Sequence, residues 1–277
     1  MALTVNTNIA SLNAQRNLAS SQSSLQISLQ RLSSGLRVNS AKDDAAGLSV
    51  IENLTADVRG VNQATRNAQD GISLGQTAEG ALGQITANVQ RIREIAVQSS
   101  NATAGQRAGL QKEVDQLTQE ISRIVQTTEF NGTKLLDNTT ALTFQVGQDG
   151  AANNQVSVSG VDETALNSYA ATLTATGTVD VSTAAAASAA IATLDTDINT
   201  LVGDRATFGA VQNRFEAVIS NLSNFAENLT AARSRIQDAD FAKETANLTR
   251  GQILQQAGTA ILAQANTLPQ AALSLLR

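Results

Sequence analysis

Two stretches of this chain carry an apolar stripe whose steps alternate between three and four residues. The first begins Ile51, Leu54, Val58, Val61 and runs to Ile92 and Ala96; the second begins Ile191, Leu194, Ile198, Leu201 and runs to Ala232 and Ile236. A 3.5-residue period held this long specifies coiled-coil helices and cannot be met by strands, whose period is two. Each stripe contains one extra step of three, at Gly75–Ala78 and at Phe208–Val211. Such a stammer overwinds a coiled coil locally. At a rise of 1.5 Å per residue, a segment of roughly 55 residues spans about 80 Å. The matching lengths predict an antiparallel pair. A shorter stripe, Leu110, Val114, Leu117, Ile121 and Ile124, predicts a third helix packed on both.

The chain ends carry narrower stripes, Leu25, Leu29, Leu32 and Leu36 near the start and Ile261, Ala265, Leu268, Ala272 and Leu275 near the finish. One narrow stripe gives too little apolar area for an isolated helix to hold. Both ends are therefore expected to be disordered in the monomer and to order against each other and against other copies. Pro269 interrupts the second stripe, and an interior proline costs about 3 kcal/mol, so a kink or local break is expected there. Charge follows the same division. Residues 1–42 and 245–277 contain no acid, so all 24 acids face 13 of the 19 basic residues in the middle, which carries −11.

Local signals set the limits. Lys42-Asp43-Asp44 places carboxylates at a helix start. Asn101–Gly105 reads as the turn between the long and short helices, and Glu129-Phe130-Asn131-Gly132 as the end of the short one. Residues 142–146 and 155–158, joined by Gly147–Gly150, alternate as a β-hairpin does. Residues 160–183 show no period and read as an exposed, partly extended excursion. Gly71, Gly75, Gly80 and Gly83 lie inside the first long helix, where each costs about 1 kcal/mol against alanine. They mark either close helix approach or a pliable stretch.

Chemistry is largely excluded. With no His and no Cys among 277 residues, imidazole bases, thiolate nucleophiles, disulfides and the commonest metal ligands are missing. No enzyme activity and no cofactor are expected. No apolar run reaches the roughly 18 residues that a membrane span needs. The first ten residues lack the basic start and apolar stretch of a signal peptide. A net charge of −5 argues against nucleic acid as a partner.

Several motifs resemble one family. Gln30-Arg-Leu-Ser-Ser-Gly-Leu-Arg-Val-Asn-Ser-Ala-Lys-Asp-Asp-Ala-Ala-Gly47 is similar to the N-terminal signature of bacterial flagellins. Gln90-Arg-Ile-Arg-Glu-Ile95, Phe130-Asn-Gly132, Ala232 to Phe241, Gln252 to Gly258 and Leu273-Ser-Leu-Leu-Arg277 resemble further family segments. The resemblance, to a short flagellin, covers residues 1–135 and 190–277. It implies a mainly α fold of long antiparallel coiled-coil helices, with a terminal helical layer, an outer helical layer and a small β-hairpin region. Residues 1–42 would form the N-terminal inner helix and its connecting spoke. Residues 43–135 would be the N-terminal part of the outer domain, with a long helix over 44–99 and a short one over 106–128. Residues 136–182 would hold the hairpin and a short variable exposed region, 183–237 the C-terminal long helix of the outer domain, and 238–277 the C-terminal inner helix.

The implied function is that of a self-assembling structural subunit of the flagellar filament, used for swimming, extracellular, and exported through the growing tube. Implied partners are further copies of the chain, the flagellar export chaperone, the filament cap, the hook–filament junction proteins and the host's flagellin-sensing Toll-like receptor. Nucleic acid and membrane are not among them. Self-assembly would rest on Leu25, Leu29, Leu32, Leu36, Ile261, Leu268, Leu273, Leu275 and Leu276. Arg91, Ile95 and Glu113 stand at positions matching the receptor-contacting surface, which copies would cover in a filament. Ser157, Ser159, Thr172, Thr174, Thr176, Thr178 and Ser182 are candidates for O-glycosylation. The stammers and the 142–158 hairpin are expected to set subunit spacing along a protofilament. Only about 55 residues separate Leu136 from Ile191, too few for additional outer domains, so a smooth two-layered filament is expected. A junction protein and a chemoreceptor-like signalling hairpin share the long-helix pattern. The second would need a membrane anchor, and a metalloprotease insert would need histidine.

Overall fold

The computed structural model describes residues 7–274, with side chains through Thr267. The described residues form a mainly α fold with two small antiparallel sheets. The helices are α1 (Ile9–Ser34), α2 (Ala45–Ser100), α3 (Ala104–Thr127), α4 (Ala184–Gln237) and α5 (Phe241–Ser274), and the strands are β1 (Glu129–Phe130), β2 (Thr133–Lys134), β3 (Ala141–Gln145) and β4 (Gln155–Ser159). They make two compact units, one from residues 1–57 with 228–277 and one from 58–227. Helices α2 and α4 contribute to both.

Start and stop signals act where the charges and glycines put them. Asp44 Oδ1 accepts from Gly47 N–H at 2.8 Å and caps α2, while Asp43 accepts from the backbone of Asn39 and Ser40 in the preceding turn. The first free N–H groups of a helix have no partner within it, so such caps fix where it begins. Thr103 and Gln106 form a capping box at α3. The helical assignment of α5 continues through Pro269 to Ser274, so the expected break does not occur. One lost N–H leaves the neighbouring turns their own hydrogen bonds.

In the 58–227 unit, α2 and α4 run antiparallel. The space where Gly71 would carry a Cβ is filled by the Phe215 ring, and that of Gly75 faces the Gln212 side chain. Farther along, Arg93 Nε donates to Asp195 Oδ1 at 2.5 Å. This register sets the two stammers opposite one another. The core joins Ala78, Leu82, Ile85, Val89 and Ile92 of α2 to Leu194, Leu201, Phe208 and Phe215 of α4 and to Val114, Ile121 and Val125 of α3. Leu74 and Ile95, outside the single stripe, are buried as well. A helix that touches two neighbours needs a wider apolar face than a two-helix seam provides.

The β region departs from expectation twice. Asn131 (φ 49°) and Gly132 (φ 77°) both adopt left-handed backbone and turn β1 into β2. Asn-Gly is the preferred pair for a two-residue hairpin because both positions need φ > 0, so the motif does more than end a helix. The larger hairpin pairs Ala141 with Ser159 through Gln145 with Gln155. Its connection spans 146–154 and includes a 3-10 turn at Ala152–Asn154, longer than the tight turn expected. Phe144 meets Phe215 edge-on, with ring centroids 5.6 Å apart.

Residues 160–183 are a docked strap, which corrects their reading as an exposed excursion. Leu166, Ala170, Val179 and Val181 are buried, and the backbone polar groups, which have no ladder, are met by side chains. Gln111 of α3 donates to Val179 O at 2.9 Å and accepts from Val181 N–H at 2.7 Å. Asp115 accepts from Gly177 N–H, Gln119 donates to Ala175 O, Ser122 accepts from Ala170 N–H and Gln126 donates to Ala171 O. From α4, buried Asp197 accepts from Asn167 N–H, Asn167 Nδ2 and Ser168 N–H at 2.7–3.0 Å. A comb of polar side chains at near-helical spacing thus replaces a partner strand.

The interior glycines separate into two kinds. Gly80 and Gly83 have open space where a Cβ would stand. Gly80→Ala and Gly83→Ala should each stabilise the monomer by up to about 1 kcal/mol. Gly71→Ala should destabilise it by about 1–3 kcal/mol through overpacking against Phe215. Denaturant melts of the three variants check both signs.

Candidate assembly surface

In the unit built from residues 1–57 and 228–277, α1 and α5 pack against each other antiparallel. The face α1 turns inward is Ser11, Ala14, Leu18, Ser21, Leu25, Ser28 and Leu32; that of α5 is Glu244, Leu248, Gly251, Gln255, Gly258, Leu262 and Ala265. Both follow alternating steps of three and four, as a two-helix seam requires. Small residues let the axes approach, and two leucines fill the glycine gaps. A Cβ at Gly251 would lie 3.1 Å from Leu25 Cδ1, and one at Gly258 3.2 Å from Leu18 Cδ1.

Polar clamps fix the register at each end of the seam. Asn8 caps α1 by accepting from Ser11 N–H and donates through Nδ2 to Ala265 O at 2.8 Å, while Ser11 Oγ donates to Asn266 Oδ1 at 2.9 Å. At the other end, Glu244 accepts from Ser28 Oγ at 3.0 Å and from Arg31 Nη1 at 3.1 Å. Burial opposes the charge on Glu244, yet the bonds from Ser28 and Arg31 outweigh it and hold its pKa below the ordinary value. Beyond α1, Gly35 takes φ 73° and caps the helix. Arg37 then donates through Nε and Nη2 to Ile236 O, at 3.1 and 2.6 Å, covering the C-terminal carbonyls of α4.

Outside the seam, apolar side chains stand in water. Ile9, Ile253 and Ile261 are 63%, 60% and 61% exposed, and Leu12, Ile27, Leu29, Phe241 and Leu254 are exposed too. Of the residues expected to drive assembly, Leu25 and Leu32 lie in the seam and Leu36 is half-buried beside it. Leu29 and Ile261 lie outside it. The seam position of α5 is Leu262, one residue from the expected stripe. Leu275 and Leu276 lie outside the described residues, as do the side chains of Leu268 and Leu273. A scan for large apolar residues misses a seam in which Ser11, Ser21, Ser28, Gly251 and Gly258 carry the period.

The other candidate surfaces belong to the 58–227 unit. Arg91 and Glu113 are exposed and paired, with Nη2–Oε1 at 2.8 Å, and Arg91 also holds Glu94 at 3.0 Å. Ile95 has no exposed surface and lies on the side of α2 that enters the core. Ser157, Ser159, Thr172, Thr174, Thr176, Thr178 and Ser182 are all exposed, because alternation in β4 and the turns of the strap point them outward while their neighbours anchor.

Comparison with known proteins agrees over nearly the whole chain. Residues 5–141 match the bacterial flagellin N-terminal helical region, and residues 191–276 match the bacterial flagellin C-terminal helical region. A flagellin of Halalkalibacterium halodurans is 46% identical over 276 residues, covering 99% of each chain. A Bacillus subtilis flagellin is 43% identical over 302 residues, again covering 99% of each. Among solved structures, Bacillus cereus flagellin is similar with a TM-score of 0.49 and 33% identity, covering 61% of this chain and 94% of its own.

The Glu244 clamp gives the seam a defined acid response. A depressed carboxyl pKa contributes stability above the ordinary carboxylate range and loses it as pH falls through the depressed value. In assembled protein, hydrogen exchange of the α1 amides around Ser28 should accelerate on acidification. Glu244→Ala should cost about 1–3 kcal/mol at neutral pH, since it orphans Ser28 and Arg31.

Proposed function

The chain belongs to the bacterial flagellin family and is a structural subunit of the flagellar filament, and from that premise we propose that its termini are the polymerisation switch, ordered only when copies surround them. One observation carries this reading: the α1–α5 pair hides a single seam and leaves Ile9, Leu29, Ile253, Leu254 and Ile261 in water. Each such side chain is worth about 1.5–3 kcal/mol when it leaves water, which a filament supplies and a monomer does not. The assembly set is then Leu25 and Leu32 within a pair, Leu29 and Ile261 between copies, and Leu268, Leu273, Leu275 and Leu276 at the chain end. Such a subunit travels unfolded at its ends. Passage through the tube suits a chain without cysteine and with acid-free, amide-rich termini that neither grip nor repel the wall. Export with a dedicated chaperone, incorporation under a cap and attachment through junction proteins complete the proposal.

Replacing Leu29 and Ile261 together by Gln should leave the fold of residues 58–227 intact and raise the critical concentration for seeded elongation by at least about tenfold, as two lost burials imply. Deleting Leu273–Arg277 should leave soluble, partly helical monomer that does not elongate. Electron microscopy with filament seeds reads both, and long filaments from either variant refute the proposal.

Exposure favours a second role. Arg91 and Glu113 form an exposed, paired charged patch on α2 and α3, which we assign as the contact for the flagellin-sensing Toll-like receptor, accessible on monomers and covered in filaments. Monomer carrying Arg91→Ala with Glu113→Ala should signal at least about tenfold more weakly in reporter cells, the loss expected of a charge-paired contact. Signalling equal to the parent chain removes the assignment.

A further inference from the structure

Glu163 plays no part in the assembly surface, and its setting is costly for a carboxylate. The side chain is 1% exposed; no N–H or hydroxyl donor reaches its oxygens, and the carboxyl faces that of Asp204, to which it donates a hydrogen bond when protonated. It stands on the 3-10 turn Glu163–Ala165 at the leading end of the strap, packed against α3. Its own N–H is bonded to Leu136 O at 2.9 Å. The charges that act on it most are negative: Asp204 and Asp197 from α4 and Asp162 beside it. Asp197 offers no relief, since its oxygens are occupied by Asn167 and Ser168. Buried carboxylates of like sign without donors are held as neutral acids.

We propose that Glu163 and Asp204 form a proton-dependent latch, which holds the leading half of the strap on α3 and α4 while Glu163 is neutral and releases it when both carboxyls are charged. Burial first, and then the Asp204 charge, push the Glu163 carboxyl up to about 8, and burial raises Asp204 as well. The docked strap therefore binds a proton that the free strap releases in the ordinary carboxylate range. Docking is strongest below that range, weakens by about tenfold for each pH unit above it, and levels off above about 8. Release uncovers Leu166, Ala170 and Tyr169.

The chain contains one Tyr and no Trp, so its intrinsic emission reports on this strap alone. Tyr169 hydroxyl accepts from Gln126 Nε2 at 3.2 Å when docked. The test uses unassembled full-length protein, so its outcome is independent of polymerisation. Hydrogen exchange at Ser168 and Ala170, corrected for intrinsic chemistry, is followed from pH 5.5 to 9 beside acrylamide quenching of Tyr169. Protection should fall by about tenfold per pH unit and level near 8, with quenching rising in step. Glu163→Gln, which keeps the shape of the neutral acid, should abolish the slope. Asp204→Asn removes one like charge and should bring the plateau to lower pH. Protection that does not change with pH, or a slope that survives Glu163→Gln, overturns the latch. Should Glu163→Gln fail to fold, an unchanged plateau in Asp204→Asn overturns it instead.

Discussion

The seam between two antiparallel helices is the interaction on which the rest depends, because a 3.5-residue stripe hides one narrow face and leaves most of each helix uncovered. The two units answer that shortfall differently. Around α2 and α4, residues 58–227 add α3, a hairpin and a strap, so that Leu74, Ile85, Ile95 and Phe215 lose all contact with water. Around α1 and α5 the unit adds only the start of α2 and the end of α4, and isoleucines and leucines stay outside. One unit closes its core within a single chain. The other leaves apolar side chains in water, which on the proposed reading further copies of the chain cover.

Both seams use missing side chains as geometry. Phe215 lies over Gly71, Leu25 over Gly251 and Leu18 over Gly258, so a large residue on one helix is matched by a glycine on the other. Helix propensity is sacrificed at about 1 kcal/mol per site, and the return is closer packing of the axes. The stammers obey the same pairwise logic. An overwound turn on one helix could not keep register with a regular partner, and Gly75–Ala78 lies opposite Phe208–Val211, where each compensates the other.

How much of this was legible in the sequence depends on which residues carried the signal. The long helices were readable from large apolar residues at fixed spacing, and the start of α2 from Asp44. The seam of α1 and α5 was only partly readable, because serines and glycines hold five of its fourteen positions and carry no hydropathy. That is why Leu29 and Ile261 stood where Ser28 and Leu262 belong. The strap was illegible for a related reason. Its anchors, Leu166, Ala170, Val179 and Val181, follow no period, and what holds its backbone is written on α3 as Gln111, Asp115, Gln119, Ser122 and Gln126, which pass for an ordinary solvated face. The burial of Ile95 was not legible in the stripe, which assumes one partner where α2 has two. Asn131-Gly132 was legible and underread, since the same pair that ends a helix also makes the tightest hairpin.

The acid–base chemistry of the two units runs in opposite directions, and this limits the conditions under which the whole subunit is firm. In the terminal pair, Glu244 is wanted as an anion: Ser28, Arg31 and Asn247 bond to its carboxylate, and acid weakens those bonds together. In the strap, Glu163 is wanted as a neutral acid, and alkali charges a group that has only other carboxylates for company. Linkage gives these groups slopes of opposite sign. The two slopes act in adjoining windows: acidification from neutral pH firms the strap until the ordinary carboxylate range is reached, and only below that range does the Glu244 clamp weaken. The pH window in which assembled ends and docked strap coexist is bounded below by a depressed carboxyl and above by a raised one. Two carboxyl groups, one in each unit, set these two limits.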